Sequence, residues 1–227
     1  MDGVFKSKIQ VVERNFTFYS IHLNNTNYSC YLPRGYDGVT WRKLDAPIVD
    51  AASILEANRK GKRDEAIRDI IKDIDSESKD ATIVIAGDFN EPSHLDWTHA
   101  TKDFFDHREA IVPWDCSLLL TRARFIDSFR EKYPDTTTHP GFTFPLFNKD
   151  VAIEKLTWAP LADERDRIDY VYYRTNKSFH VPTVKIVGPE ETVKFGKKQE
   201  QDSKDEFLLP KGIWPTDHKA LLVKFEF

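Results

Sequence analysis

Between residues 16 and 87 the chain reads strand, helix, strand, and that order constrains its fold more than any other feature. FTFYSIHL (16–23) is a β-branched and aromatic run, and ATIVIAG (81–87) is a second apolar run. Residues 47–74 between them are helical in character. Ile67, Ile70, Ile71 and Ile74 recur at three- and four-residue spacing, while Lys62, Arg63, Asp64, Arg68, Asp69, Lys72 and Asp73 make the other face. Gly61 marks a break in this segment. A helix that buries one stripe against two flanking strands is a crossover unit, the element from which α/β layers are built.

Other runs extend the layers. KIQVVE (8–13) reads as a partner for FTFYSIHL in a hairpin joined at Arg14-Asn15, which lacks the favoured Asn-Gly. A helix is expected over 116–132, closed by Tyr133-Pro134, and RIDYVYY (167–173), VPTVKIVG (181–188) and KALLVKFEF (219–227) read as strands. The charged, unpatterned stretch 189–206 reads as a mobile surface loop. With no internal repeat and no linker, residues 1–227 read as a single domain, long enough to bury roughly 70% of the surface its unfolded form exposes.

The net charge of −4 offers no whole-molecule attraction to nucleic acid or to an anionic membrane, so a polyanion would be held locally. Cys30 and Cys116 are too few for a disulfide framework and lack zinc-ligand spacing. No run approaches the length of a membrane helix, and MDGVFKSKIQ lacks the apolar core of a signal peptide, which leaves the compartment open between cytoplasmic and exported.

Polar, reactive side chains gather at the ends of the apolar runs: His22 in IHL, Asp88 and Asn90 in IAGDFN, Asp169 in DRIDY, and Asp217-His218 ahead of the last strand. Each has an ordinary structural reading. His22 alone is a satisfied core histidine, Asp88 and Asn90 are turn formers or a helix cap, Asp169 is a partner for Arg167, and Asp217-His218 is an exposed turn. Together they hold three carboxylates, one amide and two imidazoles, the inventory that attack of water on phosphorus requires. Carboxylates hold a hard divalent cation, the cation offsets phosphate charge, an imidazole moves protons near neutral pH, and an amide donates to a phosphoryl oxygen. The tyrosines of the polar loop 24–38, Tyr28, Tyr31 and Tyr36, either line a substrate cleft or pack the loop. Arg59, Lys60, Lys62 and Arg63 read as a solvated helix face.

GDFN, RIDYV and TDH, in that order after a strand ending in IHL, resemble the endonuclease/exonuclease/phosphatase superfamily. The longer GDFNEPSHLDWT is similar to a bacterial branch of mostly uncharacterised predicted hydrolases. The resemblance runs from about residue 8 to the end. It implies an α/β fold, the α+β four-layer sandwich of deoxyribonuclease I, and a Mg²⁺- or Mn²⁺-dependent phosphoesterase acting on a phosphodiester or phosphomonoester. The substrate would be nucleic acid, a lipid headgroup or a small metabolite. By the same resemblance Asp88 orients or deprotonates water, Asn90 contacts the phosphate, and His218 is the paired catalytic histidine, with the general base open between Asp88 and His218; of the loop tyrosines, Tyr31 is the substrate-binding candidate. Asp169 accepts its other ring proton, Asp217 and Asp88 hold the metal, and His22 donates to a phosphoryl or leaving oxygen.

One departure stands out. The family's Asn and metal-binding Glu from strands ahead of the IHL strand have no counterpart here, and Glu13 does not fit the motif. The chain therefore reads as the C-terminal two-thirds of the family fold, incomplete at its N-terminus and exposing a sheet edge. The alternative is a non-catalytic binding or scaffold module that keeps the fold with an incomplete site.

Overall fold

The computed structural model describes residues 3–178 and 180–226. The first strand, β1 (Val4–Val11), pairs antiparallel with β2 (Arg14–His22). Their turn is Val12-Glu13 rather than Arg14-Asn15, because Arg14 and Asn15 already pair with Val11 and Gln10. Val12 takes the positive φ of 55° that so tight a turn demands, an uncommon conformation for a β-branched residue.

The crossover follows as two helices, α1 (Ala51–Arg59) and α2 (Arg63–Ile74), with the break at Gly61 that the sequence marks. Asp50 caps α1 by accepting from the Ser53 N–H at 2.8 Å. Asp64 and Glu65 in the first turn of α2 complement its dipole. The chain then enters β3 (Thr82–Asp88), parallel to β2. On one face of this sheet Ile67, Ile70 and Ile74 of α2 meet Tyr19, Ile21, Ile83 and Ile85 in a core of buried side chains. Burying each of those isoleucines contributes about 2 kcal/mol.

The expected helix over 116–132 is two helices. Between α3 (Asp115–Arg122) and α4 (Ser128–Lys132) runs β4 (Ile126–Asp127), which pairs with β5 (Asp169–Arg174), so a sheet contact overrides helical propensity there. The five-stranded sheet has the order β1-β2-β3-β5-β4. A second sheet is built from β6 (His180–Val187), β9 (Phe207–Leu208) and β10 (Ala220–Glu226), in the order β10-β6-β9. Phe225 of β10 meets Tyr173 of β5, and Val184 and Ile186 share a core with Phe129 and Tyr133. Helices, sheet and sheet make an α/β sandwich, as the motifs imply. Of the expected C-terminal strand, Phe227 lies outside the described residues, as do Met1 and Asp2 of the N-terminal decapeptide.

The stretch 189–206 is not a structureless loop. It folds as a hairpin of β7 (Thr192–Lys194) and β8 (Lys197–Gln199), anchored by the fully buried Val193, while Asp205 accepts from the Gly141 N–H. At one edge of the five-stranded sheet β1 pairs only with β2 among the described residues and leaves Phe5 and Ile9 exposed. Both cysteines are free and buried, and no described helix is long and apolar enough to cross a membrane.

Candidate active site

Strand register builds the site. His22 at the end of β2 stands opposite Asp88 at the end of β3, and Asp88 stands opposite Asp169 at the start of β5. Directly opposed residues point to the same face, so three strands present one row of side chains at one level. Gly87 makes that level possible. Its φ is 139°, and a Cβ there would lie 1.9 Å from the Ile21 carbonyl oxygen, so only glycine lets β3 approach β2 just before Asp88.

Past Asp88 the chain turns sharply. Asn90 takes a left-handed φ of 49°, and Asp88 Oδ1 accepts from the Asn90 N–H at 2.7 Å. The Asn90 amide donates to Asp88 Oδ2 at 3.0 Å and to the Leu23 carbonyl at 2.8 Å. Both hydrogens of the amide are thereby committed to holding Asp88 and the end of β2. Phe89 points the other way and packs edge-on against Tyr170, 4.9 Å between centroids.

His218 arrives from a distant loop. The buried Thr143 hydroxyl accepts from the N–H groups of Ile168 and Asp169. The Thr143 carbonyl takes the Lys219 N–H at 2.7 Å, and the Leu146 N–H donates to the Asp217 carbonyl at 2.8 Å. One short segment therefore seats the TDH loop over β5. The His218 Nδ1–H donates to Asp169 Oδ2 at 3.0 Å, which leaves Nε2 as the nitrogen available to the cleft. Arg167 does not pair with Asp169; it is buried between Asp96 and Asp127.

Asp88, Asp169 and His218 offer ligand atoms that all lie within 4.8 Å of one another. His22 Nε2 is 3.6 Å from Asp88 Oδ2, with the imidazole largely exposed on the rim. Asp217 lines the same cleft outside this group of three. Burial and the negative charge of Asp169 hold Asp88 well above the usual carboxylate range, at about 7. Burial by itself would lower His218, but the hydrogen bond and charge of Asp169, with the charges of Asp88 and Asp217, raise it to about 9. Two facing carboxylates thus carry more negative charge than one imidazole offsets. That excess, on oxygen donors, fits a hard divalent cation.

The motif tails are wiring. Asp96 of GDFNEPSHLDW holds Arg167 of DRIDY, and the Trp97 indole N–H donates to Asp166 at 3.2 Å. Arg63 is fully buried instead of solvated. Its guanidinium donates to the carbonyls of Asn24, Thr26 and Asn27, and it lies 3.6 Å from Glu91, so it ties the loop after His22 to the turn after Asp88. Among the tyrosines, Tyr28 and Tyr31 line the cleft, while the Tyr36 hydroxyl accepts from the Leu161 N–H. The sequence reading missed Thr143, Arg63, Phe144 and two tryptophans on the cleft wall, Trp41 and Trp158. The aromatic-rich GFTFP was the one local signal, for Thr143 and Phe144.

No family model matches the chain. An uncharacterized protein of Caenorhabditis elegans is 32% identical over 162 residues, 69% of this chain and 46% of that protein, so the chain spans about half the length of the curated relative it matches. A humanized TDP2 of D. rerio aligns over 99% of this chain and 60% of its own, at 11% identity and a TM-score of 0.46. An endonuclease/exonuclease/phosphatase family protein from Leptotrichia buccalis aligns over 99% and 54%, at 15% identity and a TM-score of 0.39. An AP endonuclease from Archaeoglobus fulgidus aligns over 74% and 51%, at 14% identity and a TM-score of 0.31.

Proposed function

We propose that the chain hydrolyses phosphate esters, as a member of the endonuclease/exonuclease/phosphatase superfamily, by attack of water on phosphorus. The observation that carries this reading is the row His22, Asp88 and Asp169 closed by His218, because it joins the GDFN, RIDYV and TDH motifs in one cluster. Asp88 orients the water and takes its proton. In the metal-free chain, burial and the charge of Asp169 make Asp88 a stronger base than an ordinary aspartate. Protonated His218, with Nδ1 fixed by Asp169, presents Nε2–H to the phosphoryl or departing oxygen. His22, exposed on the rim, donates to the leaving group.

Asn90 acts first on Asp88, and contact with the phosphate would use the amide hydrogen now given to Asp88 Oδ2. Asp88 and Asp169 would hold a divalent cation, Mg²⁺ or Mn²⁺, with Asp217 at the rim. When bound, the ion would offset the carboxylate charge and polarise the phosphoryl oxygens.

The test is release of p-nitrophenol from bis-p-nitrophenyl phosphate and p-nitrophenyl phosphate, with Mg²⁺, with Mn²⁺ and with EDTA. Metal-dependent turnover is expected. Silence with both esters and both metals contradicts the reading and leaves the fold as a binding module.

A further inference from the structure

The cleft that holds Asp88 and His218 has a second, chemically different end. Phe144 lies 4.9 Å from the His218 imidazole, centroid to centroid, and shares the cleft with an aromatic wall that also holds Tyr28, Tyr31, Trp41 and Trp158. Trp41 and Trp158 form its outer part, 5.6 Å apart and tilted by 39°. Trp41 stands edge-on to the buried Tyr31 at 5.5 Å, and Tyr31 in turn stands edge-on to Tyr28.

This wall is built rather than incidental. Trp158 is 45% exposed, yet its backbone is pinned: the fully buried Glu164 accepts from the Trp158 N–H at 3.0 Å, the Ala159 N–H at 3.1 Å, the Tyr31 hydroxyl at 2.6 Å and the Thr157 hydroxyl. Trp41 sits at a positive φ of 60°, held by its N–H to the Asp37 carbonyl and by the turn Asp37 makes with Val39 and Thr40. Bulky residues seldom adopt that conformation, and such positions persist where surrounding structure fixes them, often at ligand clamps. Two large indoles are thus held in place with apolar surface left open to solvent.

Charge limits what can lie there. Among the described residues neither lysine nor arginine lines the cleft, and its charged residues are acids and histidines. A strand of successive phosphates would find no cation beyond the metal site, whereas a single phosphate carrying a flat, weakly polar group would find a stacking surface. The volume, about 250 Å³, suits one small ligand.

Building on the phosphoesterase reading of the same cleft, we infer that Trp41 and Trp158 form a ring-stacking subsite and that the substrate is a short nucleotide, its base on this wall beside the scissile phosphate. Binding can be measured apart from turnover. Calorimetric titration with AMP and with ribose 5-phosphate, each as its phosphonate analogue with a P–C bond that the reaction cannot cleave, at fixed Mg²⁺ and salt, isolates the ring. Stacking predicts AMP bound about tenfold more tightly by the wild type, a difference reduced to about twofold in Trp158→Ala and largely kept in Trp158→Phe, while ribose 5-phosphate binds all three alike. Equal affinity for the two ligands in the wild type, no AMP binding, or AMP affinity untouched by Trp158→Ala overturns the inference. A ring preference that follows Trp158 in a chain that cleaves no ester would sustain the subsite and overturn the reaction, and metal-dependent cleavage without ring preference would do the reverse.

Discussion

The two ends of the cleft are made in different ways. The polar end rises from paired strands: His22, Asp88 and Asp169 are set by register, with His218 clamped above them. The aromatic end is carried by loops, with Trp41 and Trp158 distant in sequence and joined through Tyr31 and the buried carboxylate of Glu164. Reacting groups need sub-ångström placement, which a sheet supplies, whereas a surface that recognises a ring can vary with its loops while the chemistry stays in place. The ends also differ in electrostatic cost. The polar end confines Asp88 by burial and beside Asp169, which together raise its proton affinity, and the aromatic end holds the buried Glu164 with four donors.

The largest effect is expected from Gly87→Ala. The added methyl meets the Ile21 carbonyl, so β3 must move from β2 just where the row of site residues sits. A loss of about 3 kcal/mol or more is expected, seen in a thermal melt as a fall of roughly 10 °C, together with loss of turnover. A variant with wild-type melting would mean that the register does not depend on this glycine.

Asp169→Asn tests the polar end more gently. The amide keeps the shape but cannot hold a charged imidazole, so turnover should fall about 10- to 100-fold, with the alkaline limb of the pH–rate profile moved to lower pH. A larger loss than that of His218→Ala would make Asp169 a structural residue.

The smallest effect is on stability without metal. His218 near 9 in the folded chain lies above the 6.5 of an ordinary histidine, so its proton contributes stability that is complete below pH 6.5 and is lost as the pH rises through 9. Asp88 near 7 lies above the ordinary 3.8, so the folded chain also holds that proton more tightly, and stability declines as pH rises from 4 to 7. The two slopes have one sign. In EDTA the melting temperature should therefore fall from pH 6 to pH 9, by about 1–3 kcal/mol in stability. His218→Gln should flatten the upper part, and millimolar Mg²⁺ should raise the melting point at pH 8 by mass action. A melting temperature that climbs over that range contradicts the charge balance described for the cluster.

The polar end was legible in the sequence because each of its members sits at the end of an apolar run, and such runs dictate where strands stop. His22, Asp88, Asp169 and His218 converge for that reason. The aromatic end was not legible, since Trp41 and Trp158 carry no periodicity and meet only in space. Arg63 looked like one more charge on a basic helix face; its burial depends on carbonyls of a loop whose path no local pattern reveals. The hairpin at 192–199 was hidden by its charges, because a single buried valine anchors it. The break at β4 was lost because pairing with Tyr172 and Tyr173 is a nonlocal contact that a helical pattern does not reveal.

The measurement that bears most directly on the central claim is the rate of bis-p-nitrophenyl phosphate hydrolysis by the wild type, His218→Ala and Asp88→Asn, with saturating metal and with each fold checked by melting. If the cluster carries the reaction, turnover in the wild type is metal-dependent and either variant loses about a thousandfold. Turnover in both variants close to wild type would contradict that claim, because the cluster would then be a bystander to the reaction.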